Sequence, residues 1–184
     1  MKRRTRNPYK QMKRLQLSLA AGLLVAATLG GTHAVAQQSP REAASEFYTL
    51  VVREDPSGLP DEAEMRLFRP RLSRGLRTLF ARAYREQARA MREHPDEKPP
   101  LVEGCLFSCS FEGPKQFKVG ATKISGRFAY VAIEQGSEPD ASARWTDTLV
   151  LVKERGRWLV WDVRMGCTWD FRMGPTLRAM LSGK

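Results

Sequence analysis

The feature that most restricts the fold of this chain is a change of hydrophobic period at Pro99-Pro100. Before that break apolar residues recur at three-to-four spacing, as an amphipathic helix requires. After it they alternate, and β-branched and aromatic residues dominate, as half-buried strands require. The pattern predicts an α+β domain of N-terminal helices followed by an antiparallel meander of about four strands.

The helices carry their own boundaries. Ser39-Pro40-Arg41-Glu42 combines an N-cap serine, proline at the first helical position and glutamate three residues after the cap, a capping box. It predicts a helix over 40–54, with Ala43, Ala44, Phe47, Leu50 and Val51 on one face, stopped by Asp55-Pro56-Ser57-Gly58. A short helix is expected over 61–68. Ser73 then caps a longer helix running to about His94-Pro95, with Leu76, Leu79, Phe80, Ala83, Tyr84 and Met91 as its apolar stripe. Between Arg66 and Arg92 stand nine arginines and one acid, Glu86. Arg74, Arg77, Arg85, Arg89 and Arg92 fall largely opposite that stripe.

In the second half, strands over 117–124 and 127–134 meet at Ser125-Gly126, a two-residue turn in which glycine adopts positive φ. Strands over 145–154 and 157–165 meet at Arg155-Gly156. A two-residue turn there sets Val152 opposite Leu159, Val150 opposite Trp161 and Thr148 opposite Val163, with Asp147 opposite Arg164 on the other face. Gly174-Pro175 is expected to open a short C-terminal helix bearing Leu177, Met180 and Leu181.

Residues 1–36 read as a cleavable signal peptide. Seven basic residues and no acid occupy the first sixteen positions, and an apolar run from Leu17 to Gly30 follows. That run falls short of the roughly 20 residues a spanning helix needs. Ala34-Val35-Ala36 supplies the small residues at a cleavage site. The expected compartment is periplasmic or secreted, with no transmembrane segment after cleavage and one domain over 37–184. Losing the signal lowers the net charge from +11 to +4, because residues 37–184 keep 24 basic and 20 acidic side chains. Most of the bias that would suggest a nucleic-acid partner goes with it.

Three cysteines remain, Cys105, Cys109 and Cys167. An oxidising compartment favours a disulfide and an odd count leaves one thiol. A long-range bond from Cys167 to Cys105 or Cys109 is favoured over Cys105–Cys109, because closing the longer loop constrains the unfolded chain more. Cys-x-x-x-Cys without a nearby histidine lacks zinc spacing, and no metal or cofactor is expected.

Helices followed by a meander closing on Gly156-Arg157-Trp158-Leu159-Val160-Trp161-Asp162-Val163 resemble the nuclear-transport-factor-2-like (cystatin-like) cone fold, which commonly ends in Gly-x-Trp-x-aliphatic-x-Asp-aliphatic. Phe47-Tyr48, the loop and helix over 70–84, Phe117-x-Val119-Gly120 and the closing strand resemble, more narrowly, exported bacterial domains of unknown function, over residues 42–182. The resemblance implies a helix-covered curved sheet whose concave face can enclose a small pocket. It carries fold and not chemistry.

No catalytic residue is assigned. His94, the one histidine after residue 36, stands beside Pro95 as a solvated loop residue. No Gly-x-Ser-x-Gly elbow is present. Asp162 is the one carboxylate the pattern could place in a pocket, and pairing with a basic neighbour is its commoner role. Trp145, Trp158, Trp161, Trp169 and Phe171 make the C-terminal half rich in aromatics. The register puts Trp161 in the core and leaves Trp145 and Trp158 on the other face as binding candidates. Together with Arg74, Arg77, Arg85, Arg89 and Arg92 they point to a module that binds an acidic protein or an anionic envelope component, as exported immunity proteins bind their partners. The alternative is a small-ligand carrier or enzyme using the concave pocket.

Overall fold

A computed structural model describes residues 37–137, 144–168 and 174–183. The signal-peptide reading, Trp169 and Phe171 therefore lie outside the described residues. Val35–Lys184 forms one compact unit. Its elements run α1 (Pro40–Glu54), α2 (Glu62–Phe68), a 3-10 turn (Arg69–Arg71), α3 (Arg74–Glu93), β1 (Gln116–Ser125), β2 (Phe128–Gly136), β3 (Arg144–Glu154), β4 (Arg157–Arg164) and α4 (Leu177–Ser182). The strands form one antiparallel meander in the order β1-β2-β3-β4. The α+β class and the four-stranded antiparallel sheet follow the alternation in the sequence.

Each helix begins where a side chain satisfies orphan N–H groups. Ser39 Oγ accepts from Glu42 N, and the Glu42 carboxylate accepts in turn from Ser39 N. Asp61 and Glu64 form the same reciprocal box at α2. Ser73 Oγ accepts from Leu76 N at α3. At α4 the cap is Thr176, which accepts from Ala179 N, so the helix starts two residues later than Gly174-Pro175 suggested. In α3 the buried face ends early: Leu76, Phe80 and Ala83 are buried, whereas Met91, expected in the stripe, is 56% exposed.

Helix α1 packs across β1, β2 and β4. The core beneath the helices is filled with rings: Phe47 lies edge-on to Tyr48, Phe68 and Phe107, and Phe80 reaches Phe107 from α3. Phe107 comes from the irregular segment joining α3 to β1, and its carbonyl accepts the buried Tyr48 hydroxyl at 3.0 Å. The β1 bulge between Val119 and Thr122 frees two carbonyls, and the Arg41 guanidinium from α1 donates to both, at Val119 and Gly120.

The β3–β4 register departs from the expected one partway along. Val152 pairs with Leu159 as expected, but a bulge between Val150 and Leu151 inserts Trp161 as an extra residue. Val150 therefore opposes Asp162, and Thr148 opposes Arg164, the partner expected for Asp147. The face assignment reverses along β3 and for β4 up to the bulge, beyond which Val163 keeps the core face expected for it. Leu149, Leu151, Trp158, Val160 and Val163 belong to the helix-covered core. The expectation of Trp145 and Trp158 as an exposed binding surface is corrected: each is 7% exposed. Trp161 is instead half-buried, edge-on to Phe128, with the Arg178 guanidinium 4.4 Å from its ring. The physical reason is the run Leu149-Val150-Leu151-Val152, all four side chains of which are buried. A strand apolar on both sides does not reveal which side meets the helices, and a one-residue choice flips every side chain.

Cys109 and Cys167 form the disulfide, and Cys105 is a buried free thiol. The bond is the long-range alternative favoured from the sequence. With Trp145 the two sulfurs make a small second core.

Candidate functional site

Helix α3 has a period that sends Leu76, Phe80 and Ala83 inward and places Arg74, Arg77, Thr78, Ala81 and Arg85 along one outer strip. Arg69, in the 3-10 turn before the Ser73 cap, faces the same strip. The four guanidinium-bearing residues Arg69, Arg74, Arg77 and Arg85, with Thr78 and Ala81, line one open concavity of about 340 Å³. Among the described residues no carboxylate pairs with the side chain of any of these four. Thr78 Oγ1 donates to the Arg74 carbonyl.

Four other arginines of the run are committed elsewhere. Arg66 pairs with Glu62 and Arg82 with Glu86, each one turn away. Arg89 Nε lies 2.9 Å from both oxygens of Glu93. Arg71 donates to the Leu67 carbonyl. Of the five arginines picked from the sequence, Arg74, Arg77 and Arg85 come together in the concavity. Arg89 and Arg92 are exposed further along α3 and do not line it. Arg69 was missed, because it precedes the cap and so belongs to a different element from the periodic stripe.

Next to the arginines the seam between α2 and α3 turns apolar. Met65 and Phe80 form its floor, and the Tyr84 hydroxyl donates to the Pro60 carbonyl, tying α3 to the loop before α2. Partial burial, with the Glu64 and Asp61 carboxylates nearby, pushes the Tyr84 phenol up to about 12.

Two carboxylates are buried. Asp147 accepts from Cys109 N at 3.0 Å, Gln135 Nε2 at 2.8 Å and Gly166 N at 2.8 Å. Burial raises its pKa against these bonds, which lower it. Its acceptor sites are spent on holding the disulfide loop to the sheet. Asp162 accepts from Val163 N and Arg178 N, joining β4 to α4. Burial raises its pKa as well. Asp162 thus secures a helix start. His94 is exposed at the α3 C-terminus, 3.7 Å from Glu97. Among the described residues no cluster of His, Cys, Asp and Glu could hold a metal ion. None of their helices is long and apolar enough to cross a membrane.

No protein-family model matches the chain, and no curated protein matches it. Among solved structures it is similar to a chain of the type VI native effector–immunity complex Tae3–Tai3 from Ralstonia pickettii. The identity is 18% and the TM-score 0.46, over 74% of this chain and 100% of that one.

Proposed function

We propose that the chain is an exported binding module that engages an acidic protein partner through the arginine strip of α3, in the manner of an immunity protein. Its frame in this reading is the nuclear-transport-factor-2-like cone, and its compartment the periplasm. The observation that carries the proposal is the concavity itself: Arg69, Arg74, Arg77 and Arg85 surround one opening with no internal counter-ion among the described residues. Structural arginines are normally paired, as Arg66, Arg82 and Arg89 are. Like charges gathered without partners raise the local potential and suit carboxylates, which the planar guanidinium holds in a bidentate fork.

The packing weighs against a ligand carrier or enzyme built on the concave face. Phe47, Tyr48, Phe68 and Phe107 are fully buried there. The nearby carboxylate of Asp147 already holds three N–H donors.

Immobilised protein incubated with envelope extract tests the reading. A defined protein partner should be retained, its retention should fall with added salt, and the triple variant Arg74→Glu, Arg77→Glu, Arg85→Glu should lose it. Equal retention by wild type and variant overturns it.

A further inference from the structure

The arginine concavity is one end of a longer seam. It shares Arg69, Arg77 and Ala81 with a slot of about 100 Å³ whose other walls are Met65, Phe80 and Tyr84. That slot shares Met65, Arg69 and Tyr84 with a wider hollow of about 550 Å³ that continues along α2 past Pro60, Asp61 and Glu62. Charge and apolar surface are therefore side by side, with Arg69 and Arg77 on both sides of the boundary.

We infer that this seam takes a short acidic segment of the partner, with one aliphatic side chain of leucine size seated between Met65, Phe80 and Tyr84 and flanking carboxylates held by Arg69, Arg77 and Arg85. The inference rests on the reading of the arginine strip as a site for an acidic protein. Size argues for a single side chain, since an apolar cavity of about 150 Å³ takes a benzene and the slot is smaller. Recession argues for a peptide over a bilayer. Phe80 is 1% exposed and Met65 8%, whereas a membrane-binding helix projects its apolar side chains outward. The wall is already in place, because Tyr84 is anchored to Pro60 before anything binds and little ordering remains to oppose association. Arginine and tyrosine flanking a recessed apolar slot is also the composition in which interface energy concentrates.

Titration of residues 37–184 with three short blocked peptides tests the inference: a leucine flanked by aspartates, a serine flanked by aspartates, and a leucine flanked by asparagines. The first should bind at least about ten-fold more tightly than either of the others, as burial of one leucine side chain and pairing of its flanking charges imply. Ala81→Leu changes an exposed helix position on the slot's rim. It should erase the preference for leucine over serine, with an unchanged circular dichroism spectrum. Equal binding of the two aspartate peptides overturns the seam inference and leaves the arginine strip as the site. Failure of both aspartate peptides overturns the inference and the reading beneath it. So does binding to phosphatidylglycerol vesicles without binding to any peptide, which would make the anionic partner a lipid.

Discussion

Asp147 Oδ2 accepts the backbone N–H of Cys109 at 3.0 Å, so a fully buried carboxylate stands directly behind one half of the disulfide. Its other oxygen accepts from Gly166, the residue before Cys167. One side chain on β3 thus fixes the backbone on both sides of the Cys109–Cys167 bond, and three consequences can be measured.

Asp147→Asn keeps the shape but turns one acceptor into a donor facing N–H groups. It should destabilise the domain by about 1–3 kcal/mol, the cost of leaving buried partners unsatisfied, read from urea midpoints. The pH dependence has a defined sign. Burial raises the folded pKa of Asp147 above the ordinary 3.8. Its contribution is therefore fully present below that value and is lost as pH rises through the folded pKa. The stability gap between wild type and Asp147→Asn should be widest in acid and narrow towards neutrality. A gap that widens towards neutrality would show that the bonds from Cys109, Gln135 and Gly166 outweigh burial.

Gly166→Ala should be at least as costly. A Cβ there would lie 1.8 Å from the Thr146 carbonyl oxygen, a backbone atom that cannot swing aside. A loss above about 2 kcal/mol is expected, in the range of backbone and overpacking effects. A variant within error of wild type would mean that this segment is free to move.

Replacing Cys109 and Cys167 together by serine removes a link across 58 residues. The chain-entropy relation puts that at about 4 kcal/mol. Cys105 should behave oppositely. Burial pushes its thiol up to about 12, so it holds almost no thiolate at neutral pH. Ellman's reagent at pH 8 should find no thiol in the folded protein and one per chain in denaturant. Prompt reaction before unfolding, or three thiols in denaturant, would contradict the pairing.

Much of the frame is written locally. Ser39 with Glu42, Ser73, and the positive-φ glycines at 126 and 156 mark element ends through interactions within a few residues. The Asp61–Glu64 box is equally local, and it anchors the start of α2. What could not be seen is decided at long range. Phe107 sits in a stretch without period, yet it becomes the ring that Phe47, Phe68 and Phe80 share. The Trp161 bulge depends on β4 joining two differently aligned halves of β3. The site divides in the same way. Arg74, Arg77 and Arg85 follow from helical spacing, whereas Arg69 and Met65 join them only because the turn at Arg69–Arg71 folds α2 back along α3.

The arginine strip predicts effects of opposite sign on stability and binding. Arg74 and Arg77 are three residues apart and Arg85 and Arg89 four, so each pair sets like charges on neighbouring turns, costing a helix about 0.2–0.5 kcal/mol per pair. Arg77 and Arg85 are exposed and lack carboxylate partners among the described residues. Their replacement removes repulsion without orphaning a charge. Arg77→Gln with Arg85→Gln should therefore raise stability, by about 0.5 kcal/mol in low salt. The gain should shrink as salt screens the repulsion in the wild type. The same double variant should bind the aspartate-flanked leucine peptide about ten-fold more weakly, since it loses two charge-assisted contacts. A strip kept for a partner at a cost to the fold shows this divergence. Arginines that merely pack would lose stability when shortened, and a double variant less stable than wild type at low salt would put them in that class.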